Sequence, residues 1–322
     1  MESWILSFIV DDKTNPARTV AVVIPCYNAA PHVARALDSV LAQTYVDFHI
    51  YVIDDGSTDD IDAALAPYKE RVIYSRLPHV GQAAARNRGI FLSNSPYVAF
   101  LDADDEWLPE KLERQVEILR DSPRVGMVYS DCITSGAGPF AGSYFAQKGI
   151  PAGGDIFERI ARGCDIHTPT VMVRRECLND VGLFNESLPV GEDYNLWLRI
   201  ASRWDVAVIS QALAIRHVTE GSLSMTTSRE QALTAVIAAF EHVAQALHEL
   251  SPHHRQALQW GLAKRCYAYG SHLLRVGSRG AARTQFLRAI HEGKKDWRTL
   301  GKLGLTFVPH RIYEQLDKLR SY

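Results

Sequence analysis

The strongest constraint in this chain is an alternation. Over the first 220 residues short apolar runs alternate with segments patterned at helical spacing, and acidic clusters follow two of those runs. Thr19–Pro25 (TVAVVIP) reads as a buried strand by its length and β-branching. Pro31–Gln43 places Val33, Leu37, Val40 and Leu41 on one helical stripe. Phe48–Ile53 is a second strand ending at Asp54-Asp55-Gly56, Arg71–Ser75 a short third, Gln82–Leu92 a helix, and Tyr97–Leu101 a strand ending at Asp102-Ala103-Asp104-Asp105. Strand–helix repeats with short connections form a mostly parallel α/β sheet flanked by helices, the Rossmann-like nucleotide-binding plan. Such sheets place ligands at the carboxyl ends of their strands, where these acids lie.

A glycine-rich stretch, Thr134–Gly154, interrupts the pattern and reads as a loop over the site. Thr170–Val173, Val206–Ile209 and Ala212–Ile215 then read as strands and Glu192–Ser202 as a helix. From about Ser228 only helical patterns remain: Glu230–Leu250, Gln256–Val276, Arg279–His291 and Arg311–Leu319. The expected organisation is therefore an α/β domain over 1–226 and a C-terminal all-helical appendage over 227–322. Within the appendage Tyr267, Gly277, Ala281, Ala282 and Ala289 resemble one helix–turn–helix repeat of tetratricopeptide type, although such arrays need about three repeats.

Composition excludes several classes. Hydrophobic residues at 47% and charged residues at 22% exclude a disordered chain. The longest apolar candidates, Trp4–Val10 and Ala232–Phe240, fall short of the roughly 18 residues that a spanning helix needs. Glu2, Asp11 and Asp12 stand where a secretion leader would be basic, so a cytoplasmic location is expected. The five cysteines are scattered and form no CxxC pair, which fits a reducing compartment rather than a disulfide scaffold or zinc cluster. The first strand leads into Pro25-Cys26-Tyr27-Asn28-Ala29-Ala30, with none of the glycines a dinucleotide fold needs. There is also no GxxxxGK[ST] and no GxSxG.

Each acidic cluster has an ordinary and a chemical explanation. Asp102, Asp104 and Asp105 could decorate a helix N-terminus, where the macrodipole favours acids. In extended geometry residues 102 and 104 would instead face the same way and offer two oxygens to a hard cation such as Mg²⁺ or Mn²⁺. Asp54–Asp60 could be a turn and cap, with Ser57 or Thr58 as N-cap, or could recognise a base or ribose. Arg86, on a helix behind Gly81, could be surface charge or a phosphate contact. Glu192 and Asp193 open a helix, where they could cap it or deprotonate a hydroxyl.

Taken together, VAVVIPCYNAAPHVARALDSVLAQTY, VIDDGSTDD, GQAAARNRGI, YVAFLDADDEWLPEKLERQV and VGLFNESLPVGEDYNLWLRIA with the following IRHVTEGSLS resemble the family 2 glycosyltransferases of the GT-A fold, over roughly residues 18–226. The resemblance implies an inverting, hexosyltransferase-type enzyme that uses a nucleotide-diphosphate-sugar donor, a UDP-sugar favoured, and Mn²⁺ or Mg²⁺. It implies that Pro25, Tyr27 and Asp55 hold the nucleoside with Asn28 adjoining, and that Arg86 and Asn87 lie beside it. Asp102, Ala103 and Asp104 match the D-x-D motif, with Asp104 and Asp102 toward the metal. Asp193 matches the catalytic base, with Glu192 as the fallback, and His217 falls in the family's His-containing segment near the diphosphate and metal.

The chain lacks a Q-x-x-R-W segment and membrane spans, which favours single transfers to a saccharide or lipid-linked acceptor over processive synthesis. Cell-surface polysaccharide, lipopolysaccharide or glycolipid assembly is the implied setting. Two alternatives stand beside this reading: a sugar nucleotidyltransferase, whose Gly-rich basic loop is missing, and a non-catalytic GT-A-like binding or assembly module. Arg255–Tyr322 carries fourteen Lys and Arg against four Asp and Glu, a balance of +10, although the whole chain is −2. The tail Leu300–Tyr322 is thus either a helix packed on the body or a peripheral contact with the inner face of the membrane. Aromatic and basic residues do not interleave on a strand platform, so nucleic acid is not an expected partner.

Overall fold

The computed structural model describes residues 18–136, 141–218, 226–247 and 249–308. The expected stretches Trp4–Val10 and Arg311–Leu319, most of the tail Leu300–Tyr322, and positions 219–224 of the His-containing segment lie outside the described residues.

Two compact units form. The first is built on a nine-stranded sheet. Its centre is β1 (Val20–Cys26), parallel to β2 (Phe48–Asp54) on one side and β4 (Tyr97–Phe100) on the other, with β3 (Val72–Arg76) parallel beyond β2. Val20–Ile24 are fully buried, as a strand covered on both faces requires. Helix α1 (Val33–Leu41) buries Val33, Ala36, Leu37 and Val40, and α2 (Ile61–Leu65) buries Ile61 and Leu65. Helix α3 (Gln82–Leu92) approaches β1 so closely that a Cβ on Gly89 would lie 2.5 Å from Val23 Cγ1. Register brings Cys26, Asp54 and Arg76 level, and Leu101 N donates to Val23 O (3.1 Å), so the carboxyl ends of all four strands share one edge.

Beyond β4 the sheet is mixed rather than mostly parallel. After β5 (Glu106–Trp107) and α4 (Lys111–Asp121), β6 (Val125–Ser135) pairs antiparallel with β8 (Val171–Arg174), which also runs antiparallel to β4. β9 (Asp205–His217) runs parallel to β6 and carries β5 antiparallel. The two short strands expected at 206–209 and 212–215 are one strand, which passes register shifts opposite Ser130–Cys132. The stretch expected as a loop, Thr134–Gly154, contains β7 (Gly142–Ser143) paired with β6 and α5 (Tyr144–Lys148). Asp131 anchors it: its carboxylate accepts from Ser143 Oγ (2.5 Å) and Phe145 N (2.9 Å). Helices α7 (Arg175–Val181) and α8 (Glu192–Ala201) complete this unit.

The second unit joins α6 (Phe157–Arg162) to α9 (Arg229–Ala246), α10 (Pro252–Arg275), α11 (Arg279–His291) and α12 (Trp297–Leu305). The segment Phe157–Cys164 thus belongs with the helices although it lies inside the stretch expected to form the α/β domain. Lys264 Nζ donates to Arg162 O (3.0 Å) and Arg265 Nη1 to Ala161 O (3.0 Å), satisfying carbonyls at the end of α6. Ser228 and Gln231 form a capping box at the start of α9. Leu273, Leu274, Ala282 and Phe286 form the core between α10 and α11.

Candidate active site

The edge where β1–β4 end is lined with polar side chains that hold one another. Asp54 is fully buried; its carboxylate accepts from Ser57 N (2.8 Å) and Tyr74 OH (2.9 Å) and pairs with Arg76 Nε (3.3 Å). Asp55 accepts from Val80 N (2.7 Å) and Gly81 N (2.9 Å), which fixes the loop entering α3. Gly56 (φ +80°) makes this turn possible, since a Cβ there would lie 2.8 Å from His79 N. His79 pairs with Asp55 (3.1 Å) and stacks on Tyr27, ring centroids 4.1 Å apart. Tyr27 is 46% exposed, so the stack forms an open aromatic face beside Asp55. Pro25 lies within β1, opposite Ile53.

Asn28, at φ 51°, turns inward: its Oδ1 accepts from Thr58 N (2.8 Å) and Asp59 N (3.3 Å). The neighbouring helix begins after Asp60, not at Ser57 or Thr58. Ser57 instead accepts from Asn28 N (2.9 Å), and Asp59 from Ala30 N (2.8 Å).

The acids after β4 lie in a tight turn closed by Asp105 N to Asp102 O (3.0 Å), not in the extended geometry expected. Ala103 and Asp105 are buried, whereas Asp102 and Asp104 remain partly open to solvent. Burial, and then the charges of Asp102 and Asp104, push the Asp105 carboxyl up to about 9. Asp105 accepts from His217 N (2.8 Å), and the His217 ring is held between Glu106 (Nε2, 3.0 Å) and Ser135 Oγ (Nδ1, 2.7 Å).

Arg86 joins this turn to the start of α8. It is 2% exposed, and donates from Nη2 to Asp102 Oδ1 (2.8 Å) and from Nη1 to Glu192 Oε1 (2.6 Å), with its guanidinium 5.5 Å from the Phe184 ring centroid. Burial works against this cation, but the two carboxylates outweigh it and hold it protonated. Burial, and then the charge of Asp193, push Glu192 up to about 7. Asn87, next along α3, clamps Phe184 O (2.9 Å), Phe184 N (3.0 Å) and Glu186 (2.8 Å) with its side chain.

Asp193 sits one residue on, partly open, on the first turn after Gly191 (φ +79°). Its Oδ1 accepts from Tyr194 N (2.6 Å) and its Oδ2 from Thr168 Oγ1 (3.2 Å); burial raises its pKa. Thr168 is carried by the turn Thr168–Thr170, which is tied from below: Trp107 Nε1 donates to Pro169 O (2.7 Å) and Gln115 Nε2 to Thr170 O (2.7 Å). Buried Lys111 donates to Gln115 Oε1 (2.7 Å) and lies 3.9 Å from the Trp107 ring centroid. Burial and then Arg216, which faces His167 Nδ1 at 3.3 Å, lower the His167 pKa to about 4, so its imidazole is neutral. His79 as a partner of Tyr27 had no motif to announce it.

A divalent cation suits the donor set at the turn. Asp102 and Asp104 offer hard oxygens, and their charges, which add to burial in raising Asp105, are what a cation would offset. Among the described residues no three His, Cys, Asp or Glu side chains converge into a closed metal cage.

The model of the family described as Glycosyl transferase family 2 matches residues 21–176. An uncharacterized glycosyltransferase of Rickettsia felis is 34% identical over 205 residues, 63% of this chain and 33% of that protein. The chain thus spans about a third of the length of the first curated relatives it matches. The UDP-Glc:alpha-D-GlcNAc-diphosphoundecaprenol beta-1,3-glucosyltransferase WfgD of Escherichia coli is 27% identical over 197 residues, 59% of this chain and 73% of that one. Among solved structures, S. aureus TarS 1-349 in complex with UDP-GlcNAc shares the fold at a TM-score of 0.67 and 18% identity, covering 84% of this chain and 81% of its own. The mannosyltransferase PcManGT from Pyrobaculum calidifontis, in complex with GDP-Man and Mn2+, does so at 0.57 and 20%, covering 94% and 89%. The amylovoran biosynthesis glycosyltransferase AmsB of Erwinia amylovora is 32% identical over 213 residues, which is 62% of this chain and 69% of AmsB. With a relative matched over that share of its length, and a GT-A-type α/β sheet carrying the acidic edge, the chain belongs to glycosyl transferase family 2.

Proposed function

We propose that the chain transfers a sugar from a UDP-sugar, with inversion at the anomeric carbon, to a hydroxyl of a saccharide or lipid-linked acceptor in cell-surface polysaccharide or glycolipid assembly. The observation that carries this reading is the Arg86 bridge. One buried guanidinium holds Asp102 of the acidic turn (2.8 Å) and Glu192 beside Asp193 (2.6 Å), so carboxylates distant in sequence meet at one edge.

In this reading the Tyr27–His79 stack supports the base, next to Asp55. Asp102 and Asp104 would hold Mn²⁺ or Mg²⁺, which when bound neutralises charge on the departing diphosphate. Glu192 is committed to Arg86 and buried, so it serves as an anchor. Asp193, partly open and oriented by Thr168 and Tyr194 N, accepts the proton of the acceptor hydroxyl. A single displacement needs one base and no covalent glycosyl intermediate. The UDP-sugars named for WfgD and the TarS complex, and the diphosphoundecaprenol in the name of WfgD, support this donor and acceptor class. No helix among the described residues is long and apolar enough to cross a membrane. The diphosphoundecaprenol acceptor in the name of WfgD makes a cytoplasmic enzyme working at the inner membrane face the proposed setting.

The test is donor turnover across UDP-, GDP- and dTDP-sugars with Mn²⁺, for wild type and Asp104→Ala. Turnover of a UDP-sugar that Asp104→Ala abolishes is expected. No turnover of any donor, or turnover indifferent to Asp104→Ala, would contradict the proposal.

A further inference from the structure

Helix α12 is turned inside out for a helix facing water. It buries Thr299, Thr306 is buried just past its end, and its side toward the α10–α11 core is completed by Leu303 and Leu305. Its outer face carries Trp297 (75% exposed), Leu300 (52%), Gly301 and Gly304, and Phe307 (66%) follows on the closing turn. The spacing of 297, 300, 301 and 304 puts these residues on one side of the helix, and that side bears no charge. Single exposed apolar residues are ordinary on protein surfaces, but three large ones on one uncharged face are not.

Cations flank this face. Lys295 and Arg298 are exposed, Arg298 lies 5.4 Å from the Trp297 ring centroid, and the Arg283 guanidinium stacks over Phe307 at 3.8 Å. The nearest acid on the helix, Asp296, is neutralised locally: it pairs with Lys294 (2.5 Å) and caps Thr299 N (2.8 Å). We infer that the Trp297–Leu300–Phe307 face of α12 docks on an anionic phospholipid surface, with the rings and Leu300 at the acyl boundary and Lys295, Arg298 and Arg283 among the headgroups. Interfacial helices join these same elements, a Trp/Phe/Leu face and basic flanks. A second copy of the chain fits less well, because pairing two such faces would bring like cations together. The inference goes beyond the transferase reading and uses none of its site residues.

The test is flotation of the full chain with vesicles of phosphatidylcholine alone or mixed with phosphatidylglycerol. Wild type is expected to float with the anionic vesicles only, and less at high salt. Lys295→Gln with Arg298→Gln is expected to weaken partitioning about 30-fold, at about 1 kcal/mol per cation. Trp297→Ser with Phe307→Ser is expected to abolish it, with circular dichroism confirming the fold. Trp297→Phe leaves the packing apolar and serves as a second probe: it should remove most of the tryptophan quenching by brominated lipids. Wild type that ignores anionic vesicles, binding that survives both double variants, or a dimer that Trp297→Ser dissolves would each overturn the inference.

Discussion

Replacing Arg86 by Met removes the one cation that, among the described residues, faces both Asp102 and Glu192. The consequence is a pH-dependent loss of stability whose size follows from Glu192. This carboxyl is 2% exposed, and burial with the charge of Asp193 has already pushed it up to about 7. In the unfolded chain it titrates at about 4.3. An acid with a raised folded pKa binds more protons in the folded state across that window. Stability therefore falls as pH rises from about 4.3 to about 7, then levels off once both states are ionised. Without Arg86 the folded pKa rises further, so the fall continues. Each pH unit past 7 costs the variant about 1.4 kcal/mol more than wild type, or about 2 kcal/mol by about pH 8.5. Below about pH 6 the two proteins differ by the lost contacts of the guanidinium with Phe184 and Asp102 and by the rise in Asp193 that losing Arg86 also causes. Titration of Asp105 is present in both and cancels to first order. The assay is urea unfolding by the fluorescence of Trp107, Trp197 and Trp204, repeated over pH with and without a Glu192→Gln substitution. Divergence above pH 7 that shrinks sharply once Glu192→Gln is added is expected, with a remainder from Asp193. Parallel curves at every pH, or divergence above pH 7 undiminished by Glu192→Gln, would show that Glu192 is not its source.

Other consequences concern the reaction. Asp193→Asn should lower kcat by about 10²–10⁴-fold while donor binding by calorimetry is kept, because the residue is assigned to proton transfer rather than to the nucleotide. Thr168→Val removes a hydrogen bond that favours the charged form of Asp193, so the acidic limb of the kcat/KM profile should move to higher pH; Thr168→Ser should restore it. Tyr27→Ala should weaken UDP binding by about 1–3 kcal/mol, as loss of a stacking face does, whereas Tyr27→Phe should bind normally.

How much of this was legible in the sequence depends on range. The four parallel strands and the acids at their ends could be read locally, since β-branched runs and turn residues signal themselves. The antiparallel half could not: β8 inserts between β4 and β6, a pairing over distance that no local pattern encodes. The glycines of Thr134–Gly154 suggested a loop, yet Asp131 orders a strand and helix there through Ser143 and Phe145. Asp55 and Asn87 also tie down neighbouring loops, through backbone groups and through His79 and Glu186, which no local pattern announces. Both ring nitrogens of His217 likewise have partners, Ser135 and Glu106, that the sequence alone could not supply. The tie between the D-x-D turn and the Glu192-Asp193 helix rests on Arg86, a residue that from sequence alone was as readily surface charge.

The central claim is that the turn bearing Asp102 and Asp104 and the carboxylate of Asp193 face one bound donor. A crystal structure with a UDP-sugar and Mn²⁺ tests it most directly. Uracil is expected on the Tyr27 face, the ion on Asp102 or Asp104, and the anomeric carbon turned toward Asp193. A nucleotide bound away from the carboxyl ends of β1–β4, or an anomeric carbon turned away from Asp193, would contradict it.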